Sequence, residues 1–110
     1  MKGTYLGEFE EIVLLAVGIL KEEAYGVSVR QELEDQTGRD VNIGAVHTAL
    51  HRLEEKGYLK SKFGEALEVR GGKRKRIFTL TAAGIRALHT SQELRKQMWS
   101  QLPSVILQKK

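Results

Sequence analysis

The segment NIGAVHTALHRLEEKGYLKSKF, residues 42–63, changes its apolar period partway along. Val46, Leu50 and Leu53 recur at spacings of four and three, with Ala49 beside them, which is one stripe of a helix. After Gly57 the period drops to two, so that Leu59 and Phe63 share one side of a strand and Lys60 and Lys62 the other. Asn42 is suited to cap the helix, because its side chain can accept from the free amides of the first turn, and Gly57 stops it. A second alternating run, RIFTLT, turns Phe78 and Leu80 inward. Between the two runs, GEALEVRGGKRK makes a long glycine-containing hairpin loop. A helix that feeds straight into a hairpin leaves few architectures open to a short chain.

The flanking segments narrow the choice. Residues 8–22 predict a first helix, and its run IVLLAVGIL, Ile12 to Leu20, is apolar on nearly every side, as expected of a helix buried on several faces. EEAYG then turns the chain, with Gly26 free to take a conformation other residues resist. Ser28 to Gln36 predict a second helix with Val29 and Leu33 four apart, ended by Thr37 and Gly38. Thr81 can cap a last helix from Ala82 to about Leu102. On it Leu88, Ser91, Leu94, Met98 and Leu102 form one face with Trp99 adjacent, and Pro103 interrupts the pattern. No later element covers that face, so it must pack on the core or on another copy. The expected fold is mainly α with a small β-hairpin. It is a winged helix-turn-helix over residues 1–81, followed by a C-terminal dimerisation helix and tail over 82–110.

At 110 residues there is material for one modest core. Apolar residues at 41% and charged residues at 29% argue against disorder. With no cysteine, disulfides, thiolate zinc sites and cysteine nucleophiles are excluded. The nine-residue apolar run is about half a membrane span, and it follows acidic GEFEE where a signal peptide would be basic. A cytoplasmic protein without membrane contact is expected.

Charge is unevenly placed. Residues 1–40 hold 4 Lys/Arg against 9 Asp/Glu, a net of −5, whereas residues 41–110 hold 14 against 5, a net of +9. Collected basic charge suggests a polyanionic partner. In a winged helix the third helix enters the DNA major groove and the hairpin reaches the backbone or minor groove. With Val46, Leu50 and Leu53 turned inward, helix 42–56 presents Gly44, Ala45, His47, Thr48, His51 and Arg52, with Asn42 at its start. A merely solvated face would more often carry Lys and Glu. Small residues permit close approach, and Thr, His and Arg reach base edges or phosphates. In the wing, 64–76, RGGKRKR gathers Arg70, Lys73, Arg74, Lys75 and Arg76, a density that phosphates would relieve with release of counterions.

Other chemistries fit less well. His47 and His51 are one turn apart and could hold two positions of a zinc or copper site, but the only further histidine is His89 and HTALH has no carboxylate between its histidines. No cofactor is implied. RGGKRKR lacks the Walker spacing, and no nucleophile, base and orienting group come together, so no catalytic residue is assigned and a non-enzyme is expected. A winged-helix module that binds a protein partner and no DNA remains the alternative.

Three segments carry a resemblance: AYGVSVRQELEDQTG, NIGAVHTALHRLEEKGYLKS and RGGKRKRIFTLTAAG. In order and spacing, over roughly residues 9–88, the chain resembles the PadR family of bacterial transcriptional regulators. These segments correspond to the family's YG-containing entry to the second helix, its GTLYPALxRLExxGLI recognition helix, and its GRxRKYYxLTxxG wing and cap. The resemblance implies a homodimeric repressor of a pseudo-palindromic operator in double-stranded DNA, with the C-terminal helix exchanged across the dimer. With one such helix the chain is similar to the short subgroup. Where the family pattern has Tyr and then Pro, this chain has His47 and Thr48, and Ile77 replaces a wing aromatic. A histidine at that contact would make binding sensitive to pH near neutrality. Some short relatives trap planar cations between tryptophans at the dimer interface. Trp99 lies about one turn later, so it is read as interface packing with Leu88, Ser91, Leu94, Met98 and Leu102, and a small-molecule effector is left open.

Overall fold

Acidic side chains open the first helix. In a computed structural model that describes residues 6–66 and 74–108, α1 spans Glu8–Leu20. Glu8, Glu10 and Glu11 sit in its first turn, where the helix dipole favours negative charge. The helix ends two residues earlier than the sequence suggested, and Lys21–Glu23 narrow into a single 3-10 turn. Val13, Leu14, Ala16 and Val17 are buried, but Leu15 and Ile19 remain about half exposed. The apolar run is therefore covered on one side only, since nothing in the described residues packs over its outer edge.

α2 runs Gly26–Thr37 and α3 Ile43–Glu55. At the start of α2 the Tyr25 N–H donates to Ser28 Oγ at 2.9 Å. At its end Gly38 takes the left-handed conformation, φ 72°, and its N–H donates to the Glu34 carbonyl. The Glu34 side chain also accepts from the Val41 N–H at 2.9 Å, which fixes the turn into α3. Asn42 caps α3 as expected, accepting from the Ala45 N–H at 3.1 Å. Gly26 departs from expectation. It has no positive φ but lies buried in the first turn of α2, where a Cβ would run into the His47 ring. The glycine permits close approach of two helices, a need that local turn rules cannot reveal.

Val29 and Leu33 of α2, Val46, Ala49, Leu50 and Leu53 of α3, and the buried side of α1 form the core with Ala24, Leu59 and Phe78. Each large aliphatic side chain so buried is worth about 1.5–3 kcal/mol relative to exposure. Gly57, at φ 82°, turns the chain into the hairpin. β1 (Leu59–Ala66) and β2 (Arg74–Leu80) pair antiparallel, from Leu59 opposite Leu80 to Phe63 opposite Arg76. A bulge lies between Phe63 and Ala66, which pairs with Arg74. The strands thus run further into the wing than the expected loop allowed. Phe63, read onto the same side as Leu59, is 59% exposed although Leu59 is buried. The outer half of the hairpin has left the helical layer, so no core lies behind it.

Thr81 caps α4, Ala82–Ser100, accepting from the Gly84 N–H at 3.0 Å, and its hydroxyl donates to the Gly57 carbonyl at 2.6 Å. Gly84 is buried against the Tyr58 carbonyl, with no room for a Cβ. Leu88 packs on the core, and Arg95 of α4 pairs with Glu11 of α1. From Gln92 to Gln108 every residue is exposed, through Pro103 and the short α5, Ser104–Leu107. Helix α4 ends two residues short of the expected Leu102. The projecting arm explains a radius of gyration of 16.6 Å, against about 13 Å for a compact chain of this size. Among the described residues no helix is long and apolar enough to cross a membrane.

Alanine at position 84 would gain about 1 kcal/mol of helix propensity but must displace the Tyr58 carbonyl, an overpacking of the kind that costs about 1–3 kcal/mol. Gly84→Ala is expected to lower the urea midpoint. A raised midpoint would show that α4 does not seat there.

Candidate nucleic-acid interface

Burial of Val46, Ala49, Leu50 and Leu53 rolls α3 so that Gly44, Ala45, His47, Thr48, His51 and Arg52 all lie exposed, with Asn42 at the start. The six residues form one outward surface without an acidic side chain. Glu54 and Glu55 come only in the last turn. Asn42 serves first as the cap of the helix. The His47 ring lies over Gly26, so its orientation is set by α2 even though one side meets solvent. Beside this surface is a shallow hollow where Glu8 and Glu10 of α1 meet Ala45, Thr48 and Arg52. Lys56 offsets Glu10 at 2.9 Å. Among the described residues no three histidine or carboxylate side chains gather as a metal site.

The basic wing divides into two kinds of residue. Arg70 and Lys73 lie outside the described residues, and Arg74 is exposed at the outer end of β2. Lys75 is half-buried, its ammonium 4.1 Å from the centre of the Tyr25 ring, which ties the wing to the start of α2. Arg76 is engaged more fully. Its Nη2 donates to Glu54 Oε1 at 3.2 Å and its Nε to Ser61 Oγ at 2.9 Å, while Ser61 donates to Glu54 Oε2 at 2.7 Å. The guanidinium also lies 5.6 Å and 5.9 Å from the ring centres of Phe63 and Phe78. Charge density in the sequence puts all five cations on an equal footing. Their partners Tyr25, Ser61, Glu54 and Phe63 escape a sequence reading because each is distant along the chain. The one sequence signal for them is the position of Tyr25 within AYG, ahead of the second helix.

The proposed interface on α4 also divides. Leu88 and Ser91 are half-buried, and Leu88 packs on this chain's own core. Leu94, Met98, Trp99 and Leu102 are 48%, 61%, 61% and 37% exposed, an apolar strip on the projecting arm.

Known proteins share this fold. The sequence profile of the PadR-like family of transcriptional regulators matches residues 14–90. Among solved structures, a PadR-like transcription factor from Bacteroides fragilis superposes with a TM-score of 0.70 at 23% identity, over 84% of each chain. A PadR family regulator from Clostridium difficile gives 0.63 at 25% identity, over 91% of this chain and 96% of that one. Bacillus subtilis PadR, solved with operator DNA, gives 0.63 at 19% identity, over 77% of this chain and 46% of that one. No curated protein sequence matches. At such identities the superpositions speak to the fold, the winged helix-turn-helix expected from the sequence, while the profile covers well over half of the chain. The family is one of transcriptional regulators and not of enzymes. On that match the chain belongs to the PadR-like family of transcriptional regulators.

Proposed function

We propose that the chain is a homodimeric repressor that binds a pseudo-palindromic operator in duplex DNA through residues 1–81 and dimerises through residues 82–110. The observation that carries this reading is the exposed, acid-free surface of α3 beside a basic hairpin. Gly44 and Ala45 let the helix sink into the major groove, where Thr48, His51 and Arg52 reach base edges, with Asn42 and His47 at its near end. Arg74, with Arg70 and Lys73, meets the backbone or minor groove. The operator complex of Bacillus subtilis PadR supports the same use of the fold here. The strip Leu94, Met98, Trp99 and Leu102 supports dimerisation, because a contiguous apolar strip exposed to water marks a protein–protein contact. Two such subunits would address half-sites about one helical turn, roughly 34 Å, apart.

The test is fluorescence anisotropy on duplexes selected from a randomised pool, each against its scrambled sequence, over a range of salt. If a dimer neutralises roughly eight phosphates, the log–log salt slope is about −7. Arg74→Ala is expected to weaken both duplexes alike and to flatten the slope by about 2 per dimer. His51→Ala should narrow the gap between duplexes instead, by about 1–3 kcal/mol for each base pairing removed. Absence of binding at low salt would leave the protein-partner module in its place.

Assembly through α4 is open to its own test. Leu94→Glu with Met98→Glu is expected to give monomers in analytical ultracentrifugation, with native circular dichroism and only weak, single half-site binding. A double variant that remains dimeric would move the interface off α4.

A further inference from the structure

Arg76 is the most restrained cation of the wing, and its partner Glu54 belongs to the last turn of α3. Three elements meet there: Glu54 on α3, Ser61 on β1 and Arg76 on β2, joined by three hydrogen bonds, with Phe63 and Phe78 flanking the guanidinium. Arg76 sits in the outer part of the hairpin, opposite Phe63. The wing's angle to the helix is thus set at this point. Side-chain exposures of 42% for Arg76 and 28% for Glu54 leave the pair at the surface, next to the face that α3 turns outward.

A free arginine at this place would meet phosphate. It would add affinity for any duplex, because phosphate contacts carry no sequence information. A carboxylate that holds the guanidinium removes one cation from that sequence-blind set and also fixes the hairpin. Resting on the DNA-binding reading above, we propose that Glu54 is a positioning residue for operator recognition. It keeps Arg76 off the phosphates and aligns the wing with α3, so that binding depends on sequence more than on charge.

The experiment compares the intact dimer with Glu54→Gln, Arg76→Gln and the double variant Glu54→Gln/Arg76→Gln, on a selected duplex and its scrambled form. Glu54→Gln keeps shape and loses charge. It is expected to bind the scrambled duplex more tightly and to steepen the salt slope by about 2 per dimer, at about 0.9 for each freed cation. Discrimination between duplexes should fall about tenfold, the scale of one well-placed base contact. The double variant should return the slope to its original value. An unchanged slope in folded Glu54→Gln protein overturns the proposal, and so does a fall in discrimination that merely tracks a lowered Tm. If Glu54→Gln does not fold, Arg76→Gln decides the matter: an arginine held off the phosphates adds nothing to the salt slope, so the slope must stay, and a slope flattened by about 2 per dimer overturns the idea. Wild-type protein that cannot tell the selected duplex from the scrambled one would sink the DNA-binding reading itself. Wild-type discrimination with an unaltered Glu54→Gln variant would sink this proposal alone.

Discussion

Everything outward on this molecule depends on how α3 is rolled about its axis, and that roll is set by the burial of Val46, Ala49, Leu50 and Leu53. One residue of error in that stripe would turn the helix by about 100° and bring a different set of side chains to the surface. The stripe meets Val29 and Leu33 of α2 and the buried side of α1 in a single core cluster. Rotation of the helix therefore costs the same burial that holds the domain together. Stability and presentation are settled by one set of contacts.

The cluster does not by itself hold the hairpin in place. Backbone bonds anchor the hairpin's root: the Phe78 N–H donates to the carbonyl of Ala24, just ahead of α2, at 2.8 Å, and the Thr81 N–H to the Tyr58 carbonyl across the strand ends at 3.1 Å. These bonds satisfy groups that would otherwise lie unpaired near the core. Beyond them, polar contacts hold the outer part of the wing. Lys75 on Tyr25 and Arg76 on Glu54 secure it to two different helices. A basic hairpin would otherwise repel itself and splay; here part of its charge is absorbed by Tyr25 and Glu54.

Much of this was legible in the sequence because it is local. Asn42, Gly38, Gly57 and Thr81 mark helix ends through chemistry that acts over three or four residues, and each does so in the structure. The inward stripe of α3 was legible for the same reason. Where the pattern misled, the deciding atoms were far away in the chain. Phe63 alternates correctly with Leu59, but alternation says which side a residue takes and not whether a core stands behind it. Gly26 has the sequence setting of a turn residue, yet its place is decided by the His47 ring against it. The proposed DNA-facing set and dimer strip likewise rest on periodicity. Periodicity could not show that Arg76 and Lys75 already have partners, or that Leu88 belongs to the chain's own core.

The seat of Gly84 on the Tyr58 carbonyl has a mechanical consequence. Helix α4 is 19 residues long, an arm of roughly 28 Å. Its root at Gly84 is a backbone-to-backbone contact with no side chain between to deform, and Leu88 and the Arg95–Glu11 pair brace it further along. A lever mounted so flush transmits small rotations with little slack: a tilt of about 10° at the root of an arm of that length carries its tip roughly 5 Å. One base-pair step is about 3.4 Å. Were two such arms joined near their tips, as proposed, the gauge of the whole assembly would be sensitive to a side-chain-free contact at a single glycine.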